Sequence, residues 1–215
     1  MTIILLMVSC SKIKHFDCGD SVKDMDGNVY HTVNIGTQCW MLENLKTSKY
    51  NDGTDILTNF DNTAWRTTTY GVCAIYYNNE YENRIYGKLY NWYAVNTAKL
   101  APKDWHVPDT TEWNTLINFL GGESVAGDKM KETTSWLPFT GISNTNSSGF
   151  TGLPGGNRDN NTGFYEDLLH SAYFWTSSEF SPDSAYTRIL HYNSSGVDTA
   201  SYSKHSGLSV RCIKD

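Results

Sequence analysis

Basic charge is scarce in this sequence. Its 215 residues carry 17 Lys and Arg against 23 Asp and Glu, a formal net charge of -6, and no Lys/Arg run offers a local exception. Such a balance excludes nucleic acid as an expected partner. Long apolar runs are missing as well: after the first ten residues nothing approaches the ~18 apolar residues of a membrane-spanning helix. Five cysteines include no CxxC, and six histidines form no HExxH or HxH, so no zinc-ligand spacing can be read. "GGNRDNNTG" (155–163) has no Lys-Ser/Thr after its glycines and is not a phosphate loop, and Ser177 and Ser178 lie outside any GxSxG frame. No catalytic residue, metal or cofactor is therefore expected. Charged residues are 19% and hydrophobic residues 39%, which suits one domain of ordinary size with a sizeable core.

What the chain has in quantity is aromatic side chains, 13% of the total, with 14 Tyr and 7 Trp among many Asn, Ser and Gly. This mixture suits an extracellular, turn-rich domain that binds sugars or proteins through flat faces and side-chain amides. The start, "MTIILLMVSC", is an apolar run ending in Ser9-Cys10, the pattern of a bacterial lipoprotein signal whose cysteine is acylated. It has no basic n-region, so residues 1–9 are read as a truncated signal segment, with Cys10 the lipidation site and residues 10–20 a tether. The alternative is a buried N-terminal strand. Four cysteines remain, Cys18, Cys39, Cys73 and Cys212, and spacing does not choose among their three full pairings.

Along the chain, Asp26-Gly27 and Gly36 mark turns around "VYHTVNI", whose alternation places His31 on the face of Val29, Val33 and Ile35, as a core histidine. "DMDGN" (24–28) lacks the later ligands of a calcium loop and reads as a turn. "YYNNEYENRIY" reads as an exposed acidic loop and "YGKLYNWYAVNTAKL" as a helix with a broad apolar face. In "WHVPDTTEWNTLINFLGG", Asp109 and Glu112 form a capping box, Trp113, Leu116, Ile117 and Leu120 recur at helical spacing, and Gly121-Gly122 ends the helix. The two carboxylates are thus structural, and His106 has no partner legible in sequence. "AGDKMKE" suggests a further short helix. Late segments "GFTGLP", "AYFWTSS", "AYTRILHY", "GVDTASYS" and "GLSVRCIKD" read as strands of an antiparallel sheet. Helices early and strands late make an α+β layout.

In order, "DGNVYHTVNIGTQCWMLENLKTSKYNDGT", "YGKLYNWYAVNTAKLAPKDWHVPDTTEWNTLINFLGG", "AGDKMKE", "SGFTGLPGGNRDNNTGFY", "YFWTSSE" and "GLSVRCIKD" resemble the Fibrobacter succinogenes major paralogous domain, over residues 21–215. The resemblance implies a secreted protein or lipoprotein of the bacterial cell envelope. The family commonly has a cysteine where Ala101 stands; if it pairs near the C-terminus, the resemblance implies that Cys212 here is free or paired elsewhere. The same order of elements is also similar to the C-type-lectin-like fold shared with formylglycine-generating enzymes, with two main helices early and antiparallel strands late. The enzymes' paired cysteines and the lectins' calcium motifs have no counterpart here, and fold alone does not fix function.

The candidate ligand-binding residues are Arg158, Asp159, Tyr165, Tyr192 and Tyr202. Arg158 can pair with Glu179 inside the fold, or stand with Asp159 as a fork and a carboxylate facing a ligand. Tyr76, Tyr77, Tyr81, Tyr165, Tyr173, Tyr186, Tyr192 and Tyr202 lie among small polar residues and can stack on sugar rings, although ordinary packing accounts for many such tyrosines. The expectation is a non-catalytic outer-membrane lipoprotein, held to the membrane at Cys10, that binds polysaccharide or a surface protein. The alternatives are a hydrolase or transferase with a loop-built site, and a structural envelope protein without a small ligand.

Overall fold

A computed structural model describes residues 16–215. The signal segment, Cys10 and the first part of the tether lie outside the described residues. From Phe16 onward the chain is already fixed to the domain. Phe16 packs edge-on against Trp105, and Cys18 forms a disulfide with Cys39. Residues 16–20, read above as the end of the tether, therefore belong to the fold. The disulfide closes a loop with a sequence separation of 21, which constrains the unfolded chain by about 3 kcal/mol. Cys73 and Cys212 are free and buried.

Short strands and helices alternate through the first half. They are β1 (Val22–Lys23), β2 (Val29–Tyr30), β3 (Thr32–Ile35), β4 (Gln38–Met41), α1 (Asn62–Thr67), β5 (Cys73–Ala74), α2 (Glu80–Tyr86), β6 (Leu89–Tyr90), α3 (Trp92–Val95), β7 (Trp105–His106), α4 (Thr110–Phe119) and α5 (Glu123–Met130). The second half is strand: β8 (Gly155–Arg158), β9 (Tyr165–Leu168), β10 (Ser171–Ser181), β11 (Ser184–His191), β12 (Asp198–Ser203) and β13 (Ile213–Lys214). The main sheet has the order β12-β11-β10-β8-β9, and a second has the order β3-β4-β13-β7. Mixed helix and sheet is thus the observed class, with strand predominating. One pairing departs from an all-antiparallel sheet: β8 lies parallel to β10, through Gly156 and Ala172.

Helix α4 forms as its sequence dictates. Asp109 accepts the N–H of Glu112 at 2.8 Å, and Glu112 accepts that of Asp109 at 2.9 Å. Trp113, Leu116 and Ile117 are buried, and Gly121 and Gly122 take φ of 104° and 98° to end the helix. Helix α5 follows at once.

Other expectations fail for physical reasons. The segment read as one helix over 86–100 is a strand, then a single helical turn. Asn91 stops the extended run: its side chain caps Ala94 N–H and accepts from Val72 N–H. Tyr86, Leu89, Tyr90, Trp92, Ala94 and Val95 are all buried, so apolar spacing there marks no single face. The expected acidic loop contains helix α2, capped by Asn79. His31 is not a core residue; it is exposed and bonded to Glu43 Oε1 at 2.7 Å, because the chain breaks between β2 and β3 and buries Tyr30 and Thr32 instead. "GFTGLP" makes a single bridge, Lys131 to Gly152, and no strand.

The C-terminal segment 207–213 is a thread through the middle of the molecule. Gly207 exchanges backbone bonds with Arg158, Leu208 with Tyr90, and Ser209 with Tyr173 and Trp175; Leu45 and Met41 donate to Val210 and Cys212. Strand β13 then pairs with β4 and β7. Every residue from 206 to 213 is buried, including Arg211. Cys212 shares its core cluster with Ala101.

Candidate functional site

Arg158 ends strand β8, opposite Tyr165 of β9. Its neighbour across the thread is Gly207, and a Cβ there would stand 2.7 Å from the Trp65 ring. Glycine thus lets Trp65 of α1 slide under Arg158. The guanidinium lies 4.3 Å from the Trp65 ring centroid and 5.1 Å from that of Tyr165. Nε donates to Gly163 O at 2.9 Å, and Nη2 to Phe60 O at 2.9 Å and Asn62 Oδ1 at 3.3 Å. Burial lowers the Arg158 pKa, against the pull of Tyr165 and Asp61. Among the described residues Arg158 has no carboxylate partner; Glu179, the partner weighed above, pairs instead with Lys204 at 3.1 Å. Nη1 has no hydrogen bond among the described residues.

Tyr165 extends this stack outward. Its ring lies 5.1 Å from Tyr76 and 5.3 Å from Tyr77, which themselves stand 5.0 Å apart. Tyr76 is buried, and Tyr77 is 67% exposed. Three residues at this place hold left-handed backbone without being glycine: Asn59 (φ 63°), Tyr77 (φ 48°) and Asn78 (φ 54°). A tyrosine rarely adopts that conformation, and such strain collects where a surface must be shaped. Beside this stack lies an open depression of about 430 Å3, lined by Phe60, Asp61, Asn62, Thr63, Asn78, Arg158 and Tyr165. Asp61 is occupied as the cap of α1, accepting from Ala64 N–H at 2.8 Å. The depression offers ring faces, amides and one guanidinium edge, a set suited to stacking and neutral hydrogen bonding.

Of the five sequence candidates, Arg158 and Tyr165 come together here. Asp159 sits next to them but works inward, accepting from Asn161 N–H, Thr162 N–H and Thr162 Oγ1 at 2.7 to 2.9 Å. That turn sets Gly163, whose carbonyl receives Arg158 and whose Cβ position is closed by Asn62 at 2.6 Å. Tyr192 and Tyr202 belong elsewhere. Tyr192 packs between Phe139 and His170, and Tyr202 against Tyr173 on the far strand of the sheet. Phe60, Asn62, Asn78 and Trp65 are site residues that no motif marks. The one local hint is the doublet Tyr76-Tyr77 followed by Asn78-Asn79, a turn-forming pair carrying rings.

The histidine of the "WHVPDTTEW" segment, for which sequence names no partner, has two in the structure. His106 Nε2 meets Glu112 Oε1 at 2.8 Å and Nδ1 meets Asp215 Oδ1 at 2.6 Å. Asp24, in the turn that resembled a calcium loop, is taken up by Asp26 N–H, Asn28 and Tyr30 Oη.

No curated protein and no solved structure matches this chain. The model of the Fibrobacter succinogenes major domain matches residues 33–214, a span running from β3 through the aromatic depression to β13. The chain belongs to the Fibrobacter succinogenes major domain family.

Proposed function

We propose that this domain is a non-catalytic binding module of the cell envelope and that its ligand is a polysaccharide. A sugar ring stacks on Tyr165 and Tyr77, and its hydroxyls bond to Asn62, Asn78 and the free Nη1 of Arg158. The observation that carries this reading is the exposed Tyr77 ring, held on strained backbone against Tyr165 above a buried arginine. Stacking on a rigid aromatic face costs little side-chain entropy and tolerates the many orientations of a polymer.

The wider proposal is an outer-membrane lipoprotein anchored through Cys10. Labelling with radioactive palmitate should reach the wild-type protein in a bacterial host and be absent from Cys10→Ser; equal labelling of both would remove this anchor. A C-type-lectin-like arrangement also belongs to the proposal, supported by the order of α4, α5, the Trp175-bearing β10 and the final strand.

A glycan array tests the function. The full chain should retain a defined class of polysaccharide, and Tyr77→Asn should lose it. Asparagine removes the ring yet accepts left-handed backbone, so the variant's melting temperature should stay near that of the wild type. Silence of the wild type across the array would sink the glycan reading and leave a protein partner.

A further inference from the structure

The aromatic depression has a neighbour. Asn78 lines both it and a narrower cavity of about 200 Å3, walled by Thr58, Asn59, Cys73 and Ile75, into which Lys88 reaches. Residues 58 to 63 run along the two without interruption, so depression and cavity lie side by side.

Three lysines of the described chain are buried: Lys88 at 7% exposure, Lys131 at 0% and Lys204 at 6%. Two of them are neutralised by carboxylates, Lys131 by Asp128 at 3.2 Å and Lys204 by Glu179 at 3.1 Å. Lys88 is not. Its ammonium donates to Ser48 Oγ and has no carboxylate partner among the described residues. Glu80, which lines the same cavity, is bonded to Asn83 Nδ2 at 3.1 Å and makes no ion pair with Lys88. Asp26 accepts the N–H of Ser48 at 2.5 Å and leaves Lys88 unpaired as well. Burial pushes the Cys73 thiol up to about 11, against the pull of Lys88, so the thiol brings no charge at neutral pH. A buried ammonium normally has a counter-charge, because leaving one uncompensated is costly. Here the space beside it is an open cavity.

We propose that the cavity receives the carboxylate of a uronic acid residue, whose neighbouring sugar stacks on Tyr165 and Tyr77. The inference rests on the glycan reading above and names its ligand class, an acidic polysaccharide. Lys88 supplies the charge, Asn59 and Asn78 supply amide donors for the second carboxylate oxygen, and Glu80 accepts hydroxyls of the same ring. Selectivity for the acid comes from the Lys88 ammonium: the protein's net charge of -6 offers a polyanion no general attraction.

The test compares short oligogalacturonides with the same oligomers methyl-esterified, which exchange each charge for a methyl ester, and with sulfated galactan oligomers, each titrated calorimetrically into the full chain. The acid form should bind roughly tenfold or more tightly than the ester, the range of a charge-assisted hydrogen bond. Lys88→Met, which keeps the apolar stem, should abolish that difference; a thermal melt checks its fold, and the wild-type comparison stands even where the variant fails to fold. Equal binding of acid and ester, a preference that survives Lys88→Met, or tighter binding of the sulfated oligomers would overturn the uronate assignment. Ester binding that is sensitive to Tyr77→Asn would then still uphold the glycan reading. Silence of all three oligomers here and of the array would overturn both.

Discussion

At the scale of single residues, the buried cations without a carboxylate partner contrast with one another. Arg211 is fully buried and surrounded by neutral acceptors. Nε and Nη2 donate to Asn44 Oδ1, Nη1 to the carbonyl of Met41 at 3.0 Å and to that of Phe150, and Nη2 to that of Thr151 at 3.3 Å. Its guanidinium also stacks 4.3 Å from the Phe150 ring. Burial draws its pKa down to about 9, so it stays charged at neutral pH with its donors satisfied. Arg158 and Lys88, by contrast, keep a donor facing open space. Arg211→Met would leave those carbonyls and the Asn44 oxygen unpaired inside the protein. We expect a loss of about 3 kcal/mol or more in urea unfolding, and a loss under about 1 kcal/mol would show that the acceptors find other partners.

At the scale of elements, helix α4 was readable because everything that starts it is local. Asp109, Glu112 and the paired glycines lie within one segment, and a capping box needs no tertiary knowledge. What the segment could not reveal is that Glu112 serves twice: one oxygen caps the helix, and the other holds His106, which in turn holds Asp215 after β13. Asp215 stands 109 residues from His106, beyond the reach of any motif. The same limit explains His31, whose partner Glu43 required the β3–β4 hairpin to close, and α3, whose run of buried residues shows no periodic face. The His106 cluster has a pH signature. Burial alone would lower its pKa; the bonds from Asp215 and Glu112 more than reverse this, and the folded value lies above 6.5. A raised folded pKa adds stability that is complete below the unfolded value and fades as pH rises through the folded one. The stability gap between wild type and His106→Gln should therefore be wider at about pH 5.5 than at about pH 8.5, measured by urea midpoints. A gap that widens toward alkaline pH would contradict this assignment.

At the scale of the whole molecule, the central thread 207–213 decides where the site can be. It joins β8, β6, β10, β4 and β7 by single bridges and bonds, so no continuous ladder displays the alternation from which strands are read. Gly207 on that thread admits Trp65 beneath Arg158, and α1, the Tyr76–Asn78 turn and β9 then meet around one guanidinium. Arg158 and Tyr165 could be singled out from sequence because a loop rich in Asn and Gly flanks them. Tyr192 and Tyr202 have the same local chemistry, and tertiary packing sends them to other faces. The most direct measurement is nuclear magnetic resonance mapping of the full chain during titration with the polysaccharide fragment it retains best. Shifts concentrated at Asn62, Tyr77, Asn78, Arg158 and Tyr165 are expected. Shifts centred on Tyr192 and Phe139, or on the hollow formed by Glu123, Ser124, Ile189 and residues 194–200, would contradict the assignment of the aromatic depression as the binding site.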